Sequence, residues 1–316
     1  MSEDYVDARG EKGNSQGSER RGFHYRPRSA AEWEARCNQL DDDDDEAEPR
    51  ETSGAEGEGD QAVAFLAAWR PGGPWLLTAI DPDGGAPIET CEFTRAGSAQ
   101  RWIDGRNGTR NIYFSPNRTR PGLARKARKE DIAAAEAAYV DIDPAKTADG
   151  ERALELEQGD ILDRLKGFAL RPSAIVFSGG GLQGYWRYEA PVPIGGSEDV
   201  ARLEAVNRDL REALGGDATH DVSRILRLPG TWNLPDRKKR EAGRVPTLAE
   251  VIHFDPGLRY RFEELAEAAR EASKASGAPD PESGDAEAAA PADRGDDSDA
   301  LPVIDEELHQ IIKLGY

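Results

Sequence analysis

The chain has 316 residues, with 61 acidic against 41 basic side chains and a formal net charge of −20. Only 37% of residues are hydrophobic and 32% are charged, with 33 Gly and 20 Pro, so it is too polar to fold throughout as one globule. No run approaches about 18 apolar residues, which excludes a spanning helix. No apolar stretch follows the N-terminal charges, so no secretory signal is expected. Two cysteines, Cys37 and Cys91, are too few for a disulfide scaffold or a cysteine-built zinc module, and a cytoplasmic protein away from membranes is expected.

The acidity argues against nucleic acid as a partner until it is divided along the chain. Residues 1–60 carry 18 acidic and 8 basic residues, a net of −10, and 271–316 carry 12 and 3, a net of −9. The segment between is nearly neutral, at −1. Residues 1–60 read as a disordered acidic tail with a short helix at 29–39 capped by Ser29. Residues 61–270 read as the folded domain, 271–300 as an acidic linker and 301–316 as a short helix.

In chain order, a helix is expected over 61–69, strands over 75–80 and 88–93, a helix over 97–104 and a strand over 111–114. A basic stretch at 118–129 has only helical or loop character. A strand then spans 137–142, a helix 149–165, strands 174–177 and 182–188, a helix 197–214 and a strand 224–228. Gly215 and Gly216 close the second of these helices. The order βαββαβ predicts an α+β, RRM-like antiparallel sheet with an additional N-terminal α/β lobe. In that arrangement the strand at 224–228 lies beside the one at 137–142. A basic loop at 237–240, a strand at 249–254 and a helix at 261–271 follow.

Three motifs carry chemistry. Asp141 and Asp143 occupy positions i and i+2 of a strand, so both carboxylates project to one side. Hard oxygen ligands so placed suit Mg2+ or Mn2+. Ser178-Gly179-Gly180-Gly181-Leu182-Gln183 is a glycine turn able to present amide groups to phosphate. The third string runs from Gly216-Asp217 through Asp221 to Arg224-Ile225-Leu226-Arg227-Leu228-Pro229-Gly230-Thr231-Trp232-Asn233. Its two arginines flank an otherwise apolar strand and call for an anionic partner. The predicted topology brings all three motifs to one edge of the sheet. His220 reads as structural. Trp186 and Trp232 read as core, with base stacking the alternative role.

These strings resemble the archaeo-eukaryotic primase superfamily, in the RepB-like primase and PrimPol branch of plasmids, phages and mobile elements, over about residues 61–260. The resemblance implies a DNA primase or primase-polymerase, a nucleotidyltransferase that copies single-stranded DNA from nucleoside triphosphates with two Mg2+ or Mn2+ ions. It implies that Asp141, Asp143 and Asp217 are the catalytic metal ligands, with Asp221 the rival for the third place. Ser178, Gly180, Gly181, Gln183, Arg224 and Arg227 would hold the nucleotide. Gln183 stands where the family usually has histidine. Arg118, Arg120, Arg125, Lys126, Arg128, Lys129, Lys238, Lys239 and Arg240 would contact the template. No GxxxxGK[ST] loop occurs, so a helicase is expected on a separate chain or in a further domain. Two other readings stay open: a non-catalytic single-strand-binding replication initiator, and a nucleotide-sugar transferase using the Asp-x-Asp pair.

Overall fold

A computed structural model of the chain describes residues 58–144, 151–241 and 243–276. The helices expected at 29–39 and 301–316, and nearly all of both acidic tails, lie outside the described residues. Helix α1 (Glu58–Trp69) leads into strands β1 (Trp75–Ile80) and β2 (Glu89–Phe93), helix α2 (Ala96–Asp104), and strands β3 (Asn111–Phe114) and β4 (Arg118–Thr119). Then come β5 (Ile132–Ile142), α3 (Glu151–Gly167), β6 (Ala174–Phe177), β7 (Leu182–Pro193) and α4 (Ser197–Leu214). The chain continues through β8 (Leu226–Arg227), β9 (Trp232–Asn233), α5 (Arg237–Glu241), β10 (Thr247–Leu248), β11 (Glu250–Phe254) and α6 (Phe262–Ala275).

Two mixed-origin sheets dominate. One has four strands in the order β2-β1-β3-β8, and the other has five in the order β11-β6-β7-β5-β4. Strand β5 pairs antiparallel with β7 in a register that sets Tyr139 opposite Tyr185 and Asp141 opposite Gln183. Alternation along the strands then divides the core. Ala138, Val140, Ile142, Ile175, Phe177, Leu182 and Trp186 face helices α3, α4 and α6, meeting Ile161, Leu165, Leu203, Leu210 and Leu265. Ala137, Tyr139, Ala174, Val176 and Tyr185 face the other way, packing with Phe65, Trp69, Leu77, Phe114 and Leu226 of α1 and the four-stranded sheet. The five-stranded sheet is thus covered on both sides, which is why β5 to β7 read as near-continuous apolar runs. Asp141 shares the parity of Ala137 and Tyr139, so it points into the seam between the sheets.

The α+β class and the antiparallel core sheet agree with expectation, and α4 ends on Gly215 in the left-handed conformation at φ 71°. The position of the last strand of the βαββαβ unit does not. Residues 226–227 pair with β3, not with β5, setting Arg227 opposite Tyr113. Beside β5, with both faces of the sheet buried, either Arg224 or Arg227 would have to lie under the apolar helix layer. On β3, Arg227 finds polar oxygens instead. The strand at 137–142 also begins earlier, at Ile132, and the helix expected to stop at 271 runs to Ala275. The basic loop at 237–240 is the short helix α5.

Candidate active site

The third motif still reaches β5, by its loop instead of its strand. The Asp217 backbone N–H donates to the Asp141 carbonyl at 2.8 Å, and the Asp143 N–H donates to Asp217 Oδ2 at 3.1 Å. Three carboxylates from two separate segments therefore converge at the C-terminal end of β5. Asp143 and Asp217 are exposed, while Asp141 is half-buried and its Oδ1 is buried without a hydrogen-bond partner. Burial, reinforced by Asp143 and Asp217, pushes the Asp141 carboxyl up to about 7, against the opposing pull of Arg224 and a hydrogen bond from Gln183. An orphaned buried oxygen beside two further carboxylates is a site that a cation would relieve. Among the described residues no three acidic or imidazole groups are drawn together tightly enough to form a finished cage.

Asp221 is engaged elsewhere. Its Oδ1 accepts from the N–H and hydroxyl of Ser223 at 2.7 Å each, and its Oδ2 lies 3.4 Å from Lys129 Nζ. Burial acts to raise its pKa, but the Ser223 hydrogen bonds and Lys129 together hold it below the ordinary carboxylate value. Of the two rivals, Asp217 stands beside Asp141 and Asp143.

The glycine turn meets the acids by close backbone approach. A Cβ on Gly181 would lie 2.2 Å from Asp143 Oδ1 and 2.4 Å from the Ile142 carbonyl oxygen, so only glycine fits. Gly179 adopts φ 96°, and a Cβ there would fall 2.6 Å from Asn233 Cβ. Ser178 closes the turn, its hydroxyl donating to the Gly181 carbonyl at 3.1 Å, and the Gly180 carbonyl accepts from Gln158 of α3 at 2.8 Å. Gln183 is buried against Asp141, with its Oε1 accepting from the Tyr185 hydroxyl at 2.9 Å.

Arg227 is buried and held by neutral oxygens. It donates to Asn111 Oδ1 at 2.9 Å, to the Tyr113 hydroxyl at 3.1 Å and to Asn233 Oδ1 at 2.8 Å, and its guanidinium stacks 4.4 Å from the Tyr113 ring centre. Asn233 in turn abuts Gly179, so Arg227 belongs to the glycine-turn side of the site. Arg224 is exposed and acts electrostatically on Asp141. Sequence reasoning missed Arg244, whose guanidinium lies 3.9 Å from where a Gly180 Cβ would be and whose Nε is buried without a partner. It missed Asn233 as well, although that residue ends the third string. No spacing rule connects Arg244 to the motifs, since it sits on the loop before β10.

The first basic cluster is only partly available. Arg118 pairs with Glu136 at 2.5 Å, Arg125 with Asp131 at 2.5 Å, and Lys129 with Glu204 at 2.7 Å. Arg120 donates to the Glu130 carbonyl at 3.1 Å. Lys126 and Arg128 are exposed, the latter only 3.9 Å from Glu130. A cavity of about 650 Å³ is lined by this loop together with Ile88, Thr90, Asp221 and Ser223; it does not reach Asp141, Asp143 or Asp217. In α5, Arg240 pairs with Asp83 at 2.9 Å, beside Lys238 and Lys239. His220 offers its carbonyl to Asn207, and Trp186 is buried with its indole N–H on the Leu170 carbonyl at 2.6 Å, both structural roles. Trp232 is half-buried in the β9–β10 ladder.

No protein-family model and no curated protein sequence matches the chain. Among solved structures it is similar to the AEP domain of the cyanophage S-2L primase-polymerase, at 18% identity and a TM-score of 0.48, over 66% of this chain and 97% of that one. It is also similar to the primase RepB′, at 15% identity and a TM-score of 0.45, over 69% of this chain and 64% of that one. A third similar structure is the polymerase domain of Mycobacterium tuberculosis Ligase D in complex with DNA, at 17% identity and a TM-score of 0.37, over 68% and 89%. The chain thus spans just under two thirds of the RepB′ primase. All three likenesses are at low identity and partial superposition. No helix among the described residues is long and apolar enough to cross a membrane.

Proposed function

We propose that the chain is a primase-polymerase that joins nucleotides on a single-stranded DNA template. The observation that carries this reading is the meeting of Asp141, Asp143 and Asp217 with a glycine turn and the arginine string at one mouth of the inter-sheet seam. Asp141, Asp143 and Asp217 would hold two Mg2+ or Mn2+ ions. Such ions, when bound, lower the pKa of the attacking 3′-hydroxyl and stabilise the leaving pyrophosphate. The chain's own groups do the rest. The glycine turn lets a triphosphate approach the backbone, Arg227 and Arg224 face its charge, and Arg244 adds a guanidinium where the turn itself supplies none. Gln183 orients Asp141 from across the β5–β7 ladder. Lys126, Arg128 and the cations of α5 would contact the template phosphates.

The test is primer synthesis by the full chain on single-stranded DNA, with nucleoside triphosphates and Mg2+ or Mn2+. Extended product is expected, and Asp141→Ala with Asp143→Ala should abolish it while single-strand binding persists. Synthesis that survives the double substitution overturns the catalytic assignment. A wild-type chain that makes no product yet binds single strands equally well in EDTA is a binding module.

A further inference from the structure

Three successive carbonyls in the loop between α4 and β8 are each gripped by a buried side chain. Asn207 Nδ2 donates to the His220 carbonyl at 3.1 Å, the Tyr139 hydroxyl donates to that of Asp221, and Asn117 Nδ2 donates to that of Val222 at 2.9 Å. Both asparagines also serve β5 with their oxygens. Asn117 Oδ1 accepts from the Glu136 N–H at 2.9 Å, and Asn207 Oδ1 accepts from the Tyr139 N–H at 3.0 Å. Each amide therefore bridges strand and loop with both of its ends, at 2% and 3% exposure.

The need for such bridges follows from the topology. Strand β4 pairs with β5 only at Ile132 and Ala134, and β8 has left for the other sheet. Among the described residues, the edge of β5 from 136 to 141 has no partner strand, and its buried polar groups require partners of another kind. Two asparagines and the Asp217 N–H supply them. The loop so fastened has no regular structure of its own between Asp217 and Arg224, and it carries both of those residues to the carboxylate cluster.

We propose that Asn117 and Asn207 are positioning residues: by bridging β5 to the α4–β8 loop they fix Asp217 relative to Asp141 and Asp143, and so set the affinity of the site for divalent cation. This rests on the reading of the three carboxylates as metal ligands. Neither asparagine touches a carboxylate, so their effect passes through the loop. Groups bonded directly to metal ligands commonly carry a tenfold or larger share of metal affinity, and these asparagines act one step further out, through the loop backbone. Removing one amide strands a strand N–H and frees a loop carbonyl at once.

The experiment titrates Mn2+ into the full chain without nucleotide or DNA, by calorimetry, alongside thermal unfolding. Asn207→Ala should weaken Mn2+ binding about tenfold, and Tyr139→Phe, which removes one hydroxyl and keeps the ring packed, about threefold. Leu265→Ala, in α6, destabilises the core as a control and should bind Mn2+ like wild type. Folded Asn207→Ala and Tyr139→Phe chains with wild-type affinity overturn the inference. So does Leu265→Ala losing affinity in step with its stability. If Asn207→Ala does not fold, Tyr139→Phe against Leu265→Ala decides alone. A wild-type chain whose Mn2+ binding is absent, or unchanged by Asp141→Ala, overturns the reading of the site itself.

Discussion

The protein has two concentrations of arginine, and they are built to opposite plans. Around the loop that ends at Lys129, most of the cations that form ion pairs face buried or half-buried carboxylates, leaving Lys126 and Arg128 exposed. Arg70 and Arg118 share the buried Glu136, Arg125 takes Asp131, and Lys129 takes Glu204. Around the glycine turn, Arg227 is held by asparagine and tyrosine oxygens, and Arg244 leaves a buried Nε without a partner. A guanidinium paired with a carboxylate is neutralised locally, whereas one held by neutral oxygens keeps its charge for another anion. The first group fastens the fold; the second, in the function proposed above, is the one available to phosphate. Sequence density of basic residues is therefore a poor guide to which cations are free to bind.

The largest test of this contrast is at the backbone that joins the second group to the acids. Gly181→Ala would drive a Cβ into Asp143 and the Ile142 carbonyl, and primer extension is expected to fall by about 100-fold, the scale for an ångström-level misplacement. Next, Arg227→Lys keeps the charge but loses the planar fork that three oxygens position. The nucleotide KM should rise about tenfold with kcat less affected. An unchanged KM would place Arg227 with the structural arginines and break the contrast. Single-strand binding offers a finer test. Arg128→Ala should reduce the salt slope by about 0.7, as for one phosphate contact, and Arg125→Ala should leave it unchanged. Equal losses would mean that the ion-paired group also reaches the template.

The smallest expected effect concerns Asp141. Its carboxyl pKa, raised to about 7 from the ordinary 3.8, means that the folded chain holds a proton the unfolded chain releases. The metal-free protein should lose stability as pH rises from about 4 to 7, with the full cost present above that window. Asp141→Asn should accordingly raise the metal-free Tm at pH 8 by at least several degrees, with no gain at pH 4. An equal Tm at both pH values would show that Asp141 is not ionised under strain.

Much of this was legible beforehand. The helix over 197–214, the strand pair around the glycine turn and the carboxylates at i and i+2 follow from periodicity and glycine placement, which are local. The sequence favours Asp217 with Asp221 as its rival, but that Asp217 contacts the Asp141 carbonyl while Asp221 falls beside Ser223 and Lys129 shows only in the tertiary structure. Arg244 carries no sequence signal, and neither do Asn117 and Asn207, since an isolated asparagine reads as a turn or surface residue. The departure of β8 to the four-stranded sheet was missed because strand propensity says nothing about partners.

By itself the sequence determined the elements, the acidic and neutral division of the chain and the three chemical strings, because each depends on neighbours within a turn or two. Only the tertiary structure decided which cations keep their charge and what fills the open edge of β5. Those outcomes depend on desolvation, which is set by what lies across a seam between two sheets and cannot be read along one strand.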